Sequence, residues 1–488
     1  MALVLGVDSS TQSTKVEMRD ADSGELLGSG RAPHPSTSPP RSEQDPEAWR
    51  EALVEARQHA GSIAVVAMAI AAQQHGLVAL DRAGQVIRPA KLWNDTESAP
   101  DAQWLVEQLG GPEAWTEACG SMPVSSLTIS KLSWLHRCEP EHFERIAQVL
   151  LPHDWLTYRM SGRFTTDRGD ASGTGYWSPA EGRWRPDLLD VVDGTKDWAS
   201  CLPEVLGPTD RVREREGAVI APGTGDNMAA ALGVALEPGQ VAISLGTSGT
   251  VSTVSEEPVA DPKGYVAGFA DASGRFLPLV CTLNATKIVH AFARVLGADL
   301  NEFDQLALAA PPGADGVVLV PYLDGERTPN LPDATGTLGG LRGDVTAEQV
   351  ARAAVEGVVC GLLDALDALR VSGVRVRPGD GIVLLGGGAR SHAFQRVLAD
   401  LSRSPVTVPR GEAVATGACV QAASVLHQTP TQEVASAWEL GAGHAVEPSA
   451  DVDARAIRAA YAEIRDRDYI APRRPNPPEA SDEETEGE

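Results

Sequence analysis

The residues best suited to chemistry lie close together between Pro222 and Thr250. Asp226 follows a Gly-Thr-Gly run and opens an alanine-rich helical segment, so its carboxylate is predicted to project from a tight turn at a helix N-terminus. The next hairpin contains Gly246, Thr247 and Ser248, whose backbone N–H groups and hydroxyls suit a phosphate. A proton acceptor beside a phosphate-binding hairpin indicates phosphoryl transfer. The alternative is that Asp226 only caps the helix, a role that would stabilise the protein by about 1 kcal/mol.

A second copy of this hairpin lies at the N-terminus. Residues Asp8–Thr14 align with Ser244–Thr250 without a gap, which pairs Thr11 with Thr247. Two copies indicate an internal duplication, whereas a single Ser/Thr/Gly hairpin is more often only a turn.

The first copy contains an acid that the second lacks. Asp8 offers a hard carboxylate oxygen as a ligand for Mg²⁺. The alternative is an aspartate whose side chain only hydrogen-bonds the backbone of its own turn. Lys15 is predicted to donate a hydrogen bond to a phosphate, and the alternative is a strand residue exposed to solvent. The predicted donors toward the β- and γ-phosphates are Thr11, Gln12, Ser13 and Lys15.

Three apolar strands are predicted to position further polar groups. Leu3–Val7 leads into the first hairpin, and Ile63–Ala72 ends at the polar run Gln73-Gln74-His75-Gly76. The end of a buried strand is where an open α/β sheet usually holds its ligand groups. Ile382–Leu385 runs into three glycines before a helix that Ser391 caps, so a nucleotide can lie against bare backbone there.

Other segments give weaker signals. Trp93 and Asp95 suit stacking on a sugar and bonding it, although a loop anchored by a buried Trp is about equally consistent with the pattern. Gly120–Pro208 is predicted to be a loop-rich cap over the substrate. Thr346 and Gln349 form a capping pair that predicts the start of a long core helix.

Composition limits the classes of partner. The chain has 488 residues, enough for two domains, and its formal net charge of -26 disfavours nucleic acid or an anionic membrane surface. Its six cysteines form no CxxC pair, so no zinc site or disulfide framework is indicated. The N-terminus lacks the features of a secretory signal, and we expect a cytoplasmic protein, with a homodimer as one candidate assembly.

Three motifs together resemble a known family. Gly336–Glu356 is similar to the second signature of the FGGY carbohydrate kinases, and Ser126–Cys138 to the first, with Cys138 in place of a polar residue at its last position. Pro321–Asn330, PYLDGERTPN, is similar to a further family loop. The resemblance runs from Leu3 to about Tyr469 and is closest to the xylulokinase branch.

The resemblance implies an α/β fold of two ribonuclease H-like domains, as in the actin/hexokinase/Hsp70 superfamily, with a central cleft. It implies transfer of the ATP γ-phosphoryl group to the C5 hydroxyl of D-xylulose, with Asp226 as proton acceptor. Even an aspartate with the ordinary pKa near 3.9 would serve, because the proton leaves late in a loose transition state. The implied sugar contacts are Gln74, His75 and Asn227, and the implied adenosine contacts are Gly387, Gly388, Ala389 and His392.

The expected division is residues 1–240 for the N-terminal domain, 241–470 for the C-terminal domain and 471–488 for a disordered acidic tail. Two alternatives remain open at this point. One is a family member acting on ribulose, gluconate, glycerol or a similar polyol. The other is a non-catalytic actin-like ATP-binding protein, which would need neither Asp226 nor the sugar-side residues.

Overall fold

A computed structural model describes residues 2–61, 63–213, 218–377 and 379–467. The predicted tail, 471–488, lies outside the described residues. The strands are β1 (Leu3–Ser9), β2 (Ser13–Asp20), β3 (Leu26–Pro33), β4 (Glu43–Gln44), β5 (Ala67–Ala72), β6 (Val78–Leu80), β7 (Ala90–Lys91), β8 (Gln148–Leu150), β9 (Thr165–Asp167), β10 (Trp177–Ser178), β11 (Arg183–Trp184), β12 (Glu204–Leu206), β13 (Val212–Arg213), β14 (Val219–Ile220), β15 (Thr224–Gly225), β16 (Val241–Leu245), β17 (Gly249–Thr253), β18 (Ala267–Ala270), β19 (Phe276–Thr282), β20 (Val318–Val320), β21 (Thr337–Gly339), β22 (Ile382–Leu385), β23 (Val406–Pro409) and β24 (Gly443–Val446).

Helices cover these strands. The α-helices are α1 (Pro46–Ala60), α2 (Ala99–Gln108), α3 (Pro112–Cys119), α4 (Thr128–Cys138), α5 (Pro140–Glu144), α6 (Pro152–Ser161), α7 (Arg168–Ala171), α8 (Pro186–Asp193), α9 (Asp226–Gly233), α10 (Thr286–Leu296), α11 (Leu300–Ala309), α12 (Ala347–Val371), α13 (His392–Ser402), α14 (Ala413–His427), α15 (Thr431–Ala437) and α16 (Ala454–Arg465). Short 3₁₀ turns occupy Trp198–Cys201, Ala314–Gly316 and Gly387–Arg390. Within the described ranges, no helix combines the length and apolar character that crossing a bilayer requires.

Two mixed sheets form the cores of an N-terminal and a C-terminal lobe. In the first, β1 pairs antiparallel with β2 and parallel with β5, giving the order β13-β14-β5-β1-β2-β3. In the second, β16 pairs antiparallel with β17 and parallel with β22, giving the order β18-β19-β17-β16-β22-β23-β24. The central strands β1 and β5 are buried along their whole length, as their apolar runs predict. The two sheets therefore repeat one strand arrangement, which confirms an α/β fold of two similar lobes.

The two hairpins differ by one residue. The closing pair Ser9–Thr14 encloses residues 10–13, whereas Leu245–Gly249 encloses residues 246–248. The gap-free alignment of the two copies is therefore wrong in register. The duplication holds for the strands, and the extra turn residue lies at the tip of the first hairpin.

Helices α9 and α14 join the lobes at close range. Helix α14 lies between β23 and β24 of the second sheet in sequence, yet it packs against β1, β5 and α9 of the first lobe. Two glycines allow this approach, because a Cβ on Gly417 would lie 1.8 Å from the carbonyl oxygen of Ala229 and one on Gly233 would lie 1.9 Å from that of Ala413. Backbone contact of this kind fixes where Asp226, the first residue of α9, stands relative to both sheets.

The local helix predictions are confirmed where a cap was visible. Thr346 accepts the N–H of Gln349 at 3.3 Å and returns its own N–H to that side chain at 3.1 Å, so α12 begins as the capping pair predicts. Strand β5 is shorter than predicted, starting at Ala67 rather than Ile63.

The cap segment Gly120–Pro208 is not loop-rich. It contains α4 to α8 and shares a hydrophobic cluster with residues that precede it, in which Leu132 and Trp198 pack with Trp115.

Candidate active site

Asp226 lies where two cavities meet. One cavity of about 680 Å³ is lined by Asp8, Lys15 and the segments after β22 and β23. The other, of about 330 Å³, is lined by Gln74, His75, Trp93 and the second hairpin. Asp226, Asn227, Ser244 and Thr250 line both. We call the first the nucleotide cavity and the second the acceptor cavity.

The turn before α9 sets the direction of the Asp226 carboxylate. Gly225 is the N-cap residue and forms no side-chain cap, so Asp226 is the first helical residue rather than the cap. Its Oδ1 accepts the backbone N–H of Asn227 at 2.8 Å. Beneath the turn, the Thr224 hydroxyl donates to Asp167 at 2.7 Å. The carboxylate is thereby left at the junction of the cavities.

The pKa of Asp226 is raised to about 7, first by burial and then by the negative charges of Asp8 and Asp170. The sequence analysis required no pKa shift for this role, and the structure supplies one. A carboxylate with a pKa near the working pH is better matched to accepting a proton from a hydroxyl than one with a pKa near 4.

The first hairpin places a carboxylate and an ammonium in the nucleotide cavity. Asp8 is buried and accepts a hydrogen bond from the Ser10 hydroxyl, while Lys15 Nζ lies 3.5 Å from its Oδ2. Lys15 also pairs with Glu412 at 2.8 Å, at the start of α14. Burial raises the pKa of Asp8 even though the charge of Lys15 opposes this. A divalent cation bound at Asp8 would stabilise the ionised form of this carboxylate.

The residues of the first hairpin that were predicted to donate hydrogen bonds to the phosphates lie in different surroundings. The Thr11 hydroxyl accepts from Trp93 Nε1 at 2.8 Å and donates to Gln73 at 3.2 Å. Ser13 is buried and its hydroxyl accepts from Arg31 at 3.2 Å, while Gln12 is exposed at the tip. Of these residues, Thr11 lines the acceptor cavity, and Lys15 lines the nucleotide cavity.

The second hairpin has no charged group and is held by the start of α10. The carbonyl oxygen of Gly246 accepts the Thr286 N–H at 3.0 Å and its hydroxyl at 2.7 Å. Gly246 N–H in turn donates to the Ser248 carbonyl at 3.0 Å, which makes the turn tight. Gly246, Thr247 and Ser248 all line the acceptor cavity. Their polar groups therefore face the same space as Asp226.

His75 is held in one tautomer. Its Nδ1 lies 2.8 Å from the carbonyl oxygen of Gly173, which can only accept, so Nδ1 carries the proton and Nε2 is a free acceptor. Burial, followed by the charges of Lys131 and Arg327, lowers the pKa of His75 to about 3, so the ring is neutral. The backbone of His75 has φ 67, a strained value for a non-glycine residue that is common at ligand sites.

Gln74 supports Asn227. It is buried, its Oε1 accepts from Asn227 Nδ2 at 2.8 Å, and its Nε2 has no hydrogen-bond partner within the described residues. An unpaired buried donor beside the acceptor cavity is a natural contact for a sugar hydroxyl.

Trp93 and Asp95, both predicted as sugar contacts, lie in different surroundings. Trp93 is partly exposed and lines the acceptor cavity. Asp95, expected as a sugar contact, is fully buried instead and bonds Lys91 at 3.0 Å and the Ser42 N–H at 2.9 Å. Both of its oxygens are used to hold the loop, so we withdraw it as a sugar contact. The sequence alone does not distinguish an acid that lines a cavity from one, such as Asp95, that is buried close to a cavity-lining residue.

The glycines after β22 have separate roles. Gly387 has open space where a Cβ would stand and lines the nucleotide cavity with Ala389. Gly388 is a packing glycine, because its Cβ would lie 2.7 Å from Thr286 Cγ2. His392 is exposed at the start of α13, and its N–H donates to Asp304 at 3.2 Å. Contrary to the sequence prediction, Gly388 and His392 do not line this cavity.

Sequence reasoning missed part of both cavities. Arg390 and residues 408–414 line the nucleotide cavity. The signal for the latter was a glycine, Gly411, just before the start of a helix. Arg327, in the loop that the sequence analysis used only as a family motif, lines the acceptor cavity.

Comparison with known proteins decides the family. Residues 3–233 match the model for the N-terminal domain of the FGGY family of carbohydrate kinases, and residues 241–426 match the C-terminal domain of that family. The chain belongs to the FGGY carbohydrate kinases. As a member of this family it is an ATP-dependent carbohydrate kinase.

Relatives cover nearly the full chain. A xylulose kinase from Streptomyces coelicolor is 47% identical over 453 residues, which is 90% of this chain and 92% of that protein. The crystal structure of xylulose kinase from Bifidobacterium adolescentis superposes with a TM-score of 0.84 at 41% identity, over 95% of this chain and 99% of that one. A gluconate kinase from Lactobacillus acidophilus has a TM-score of 0.86 at 23% identity, over 95% and 97% of the chains, so the fold alone does not choose the sugar.

The first FGGY signature lies on α4 beside the acceptor cavity. Lys131 is fully buried there and donates to the carbonyl oxygens of Ser125 at 3.1 Å, Ser126, and Leu127 at 3.4 Å. Ser126 and Leu127 line the cavity, so this lysine holds its wall. Cys138, the position that departs from the signature, is exposed at the other end of the helix. The departure therefore does not touch the cavity.

Proposed function

We propose that this FGGY kinase phosphorylates D-xylulose at its C5 hydroxyl, giving D-xylulose 5-phosphate and ADP. The observation that carries the proposal is the position of Asp226, a carboxylate with a raised pKa at the junction of the nucleotide and acceptor cavities. The sugar is inferred from the similarity to proteins named xylulose kinase over 90% of the chain.

In the proposed reaction the C5 oxygen attacks the γ-phosphorus of ATP while the bond to the β–γ bridging oxygen breaks. The hydroxyl proton passes to the Asp226 carboxylate, and ADP leaves with the electron pair of the broken bond. Because the transition state is loose, holding the reactants in line matters more than the strength of the base. The two hairpins supply this alignment from opposite lobes.

The acceptor side is built for a polyhydroxylated ligand. His75 Nε2 accepts from a hydroxyl, Gln74 Nε2 donates to one, and Trp93 offers an apolar face. Asn227, held by Gln74, lies next to the base. A bound sugar would give Gln74 Nε2 and His75 Nε2 the hydrogen-bond partners that they lack in the protein alone.

Asp8 is the proposed Mg²⁺ residue. Asp8 is a buried carboxylate in the nucleotide cavity, and its side-chain contacts among the described residues are the Ser10 hydroxyl and Lys15 at 3.5 Å. This fits a hard divalent cation that keeps several of its waters. Such a cation would neutralise charge on the transferring phosphoryl group. On the nucleotide side, Lys15, Gly387 and Ala389 are the proposed ATP contacts that line the cavity.

A coupled ADP-release assay across D-xylulose, ribulose, gluconate and glycerol tests the substrate. We expect the highest kcat/KM with D-xylulose. A higher kcat/KM with another acceptor would replace the sugar and keep the kinase chemistry, whereas no turnover with any acceptor would contradict the mechanism.

A further inference from the structure

Arg327 is a cation of the acceptor cavity that the mechanism above does not use. It is half-buried and lines the cavity with His75, Phe269 and Cys281. The sugar contacts proposed so far come from the N-terminal lobe and from α9. Among the described residues that the C-terminal lobe contributes to this cavity, Arg327 is the only one with a full charge.

The loop around Arg327 is fixed on both sides. The neighbouring Glu326 is buried, and its carboxylate accepts the N–H of Leu283 at 2.6 Å and the side-chain amide of Asn284 at 2.8 Å. It also accepts the backbone N–H of Arg327 itself at 2.8 Å. On the other side, the Thr328 hydroxyl donates to the carbonyl oxygen of Cys281 at 3.0 Å. The backbone of Arg327 is thereby held against β19 and the start of α10.

The same contacts leave the guanidinium without a carboxylate. Glu326 is occupied by amide groups, and within the described ranges no acid lies within 4.0 Å of the Arg327 side chain. A partly desolvated cation without an ion-pair partner is costly unless a ligand supplies acceptor oxygens. A guanidinium has five N–H donors in a fixed plane and no acceptor, so its partner must be rich in oxygen acceptors.

The position of Arg327 favours the sugar over the phosphates. Arg327 lines the acceptor cavity together with Gln74 and His75 and is not among the described residues that line the nucleotide cavity. His75 Nε2 can only accept a hydrogen bond, so its partner must be a donor, and a sugar hydroxyl is one. A sugar oxygen that needs a donor, such as a ketone oxygen or the lone pairs of a hydroxyl, matches Arg327.

We propose that Arg327 binds the acceptor sugar from the C-terminal lobe, donating hydrogen bonds to its oxygen atoms while His75 and Gln74 bind it from the N-terminal lobe. This inference rests on the proposed function, because it takes the acceptor cavity to be the sugar site. It makes the sugar a bridge between the lobes. Occupancy of the acceptor site is then coupled to the approach of the second hairpin.

The test is steady-state kinetics of Arg327→Gln with ATP and D-xylulose each varied. Loss of hydrogen bonds from a charged donor is expected to raise the sugar KM by about 10- to 100-fold, with the ATP KM within about twofold of the unchanged enzyme. Arg342→Gln is the matched control, since Arg342 is exposed on the same lobe and lines neither cavity. Arg327→Met keeps the aliphatic stem and is expected to give the same pattern if Arg327→Gln folds poorly.

The outcomes separate the two proposals. No turnover of D-xylulose by the unchanged enzyme would refute the proposed function itself. Normal turnover by the unchanged enzyme together with an unaltered sugar KM in both folded variants would overturn the inference about Arg327. A raised ATP KM with an unaltered sugar KM would also overturn it, because Arg327 would then bind the nucleotide.

Discussion

The two phosphate hairpins share a strand arrangement but not their chemistry. The first contains Asp8 and Lys15, and Thr11 ties it to Gln73 and to Trp93, which lines the acceptor cavity. The second is uncharged and is tied by Gly246 to the start of α10. A duplicated scaffold can therefore hold a charged hairpin on one lobe and an uncharged hairpin on the other. The following predictions test that division.

The largest expected effect comes from the proton acceptor. Asp226→Asn should lower kcat by about 10²- to 10⁴-fold, the range usual for loss of a general base, with the affinity for ATP largely unchanged. Ser248→Ala, on the uncharged hairpin, should lower kcat by about fivefold, because one neutral hydrogen bond is worth about 1 kcal/mol. Similar losses in the two variants, measured by steady-state kinetics and nucleotide titration, would contradict the division.

A glycine on each lobe sharpens the comparison. The Cβ of Gly173→Ala would lie 2.5 Å from the His75 ring, so the ring must move and the sugar KM should rise by about tenfold or more. Gly387→Ala meets nothing within 4 Å and should leave the sugar KM unchanged. Kinetics with the sugar varied at saturating ATP distinguish the two. An unaltered sugar KM in Gly173→Ala would remove His75 from the acceptor site.

One added methyl group at the contact between α9 and α14 should lower the stability of the protein. In Gly417→Ala the Cβ would lie 1.8 Å from the Ala229 carbonyl oxygen, so α9 and α14 must separate at a cost of about 1–3 kcal/mol in unfolding free energy. Gly361→Ala, in α12, meets only Tyr461 Oη at 3.7 Å and should be neutral or stabilising by up to about 1 kcal/mol. Denaturant unfolding of both variants checks this, and equal stabilities would show that the close approach is not maintained.

A smaller effect is expected from pH, through a buried group behind Asp226. His153 lies 2.7 Å from Asp170. Burial alone would lower the pKa of His153, but the charges of Asp154, Asp170 and Asp167 outweigh it and raise the pKa to about 9. Burial raises the pKa of Asp154 to about 7. In both groups the folded state holds its proton more tightly than the unfolded chain does.

Stability should therefore fall as pH rises. The contribution of His153 is complete below its ordinary pKa of 6.5 and is lost through about 9, whereas the cost of Asp154 builds between its ordinary pKa of 3.8 and about 7 and is complete above 7. Unfolding free energy should decline by on the order of 1–3 kcal/mol between pH 6 and 9. Asp154→Asn should change this slope, whereas Glu237→Gln, at an exposed ion pair, should not. An identical slope in Asp154→Asn would contradict the assignment.

Features that depend on local order along the chain were predictable from the sequence. The Thr346 cap, the hairpins and Asp226 at a helix start follow from adjacent residues and are confirmed by the structure. Features that depend on tertiary packing were not. Asp95 is held by Lys91, Gly388 packs on Thr286, and α14 crosses to the other lobe. The raised pKa of Asp226 likewise arises from burial and from acids distant in sequence.

The most direct measurement is a crystal structure of the protein with Mg²⁺, a non-hydrolysable ATP analogue and D-xylulose. The γ-phosphate should lie between the two hairpins, and the C5 hydroxyl should lie within hydrogen-bond distance of the Asp226 carboxylate. A sugar bound with its C5 hydroxyl away from Asp226, or a γ-phosphate in contact with neither hairpin, would contradict it.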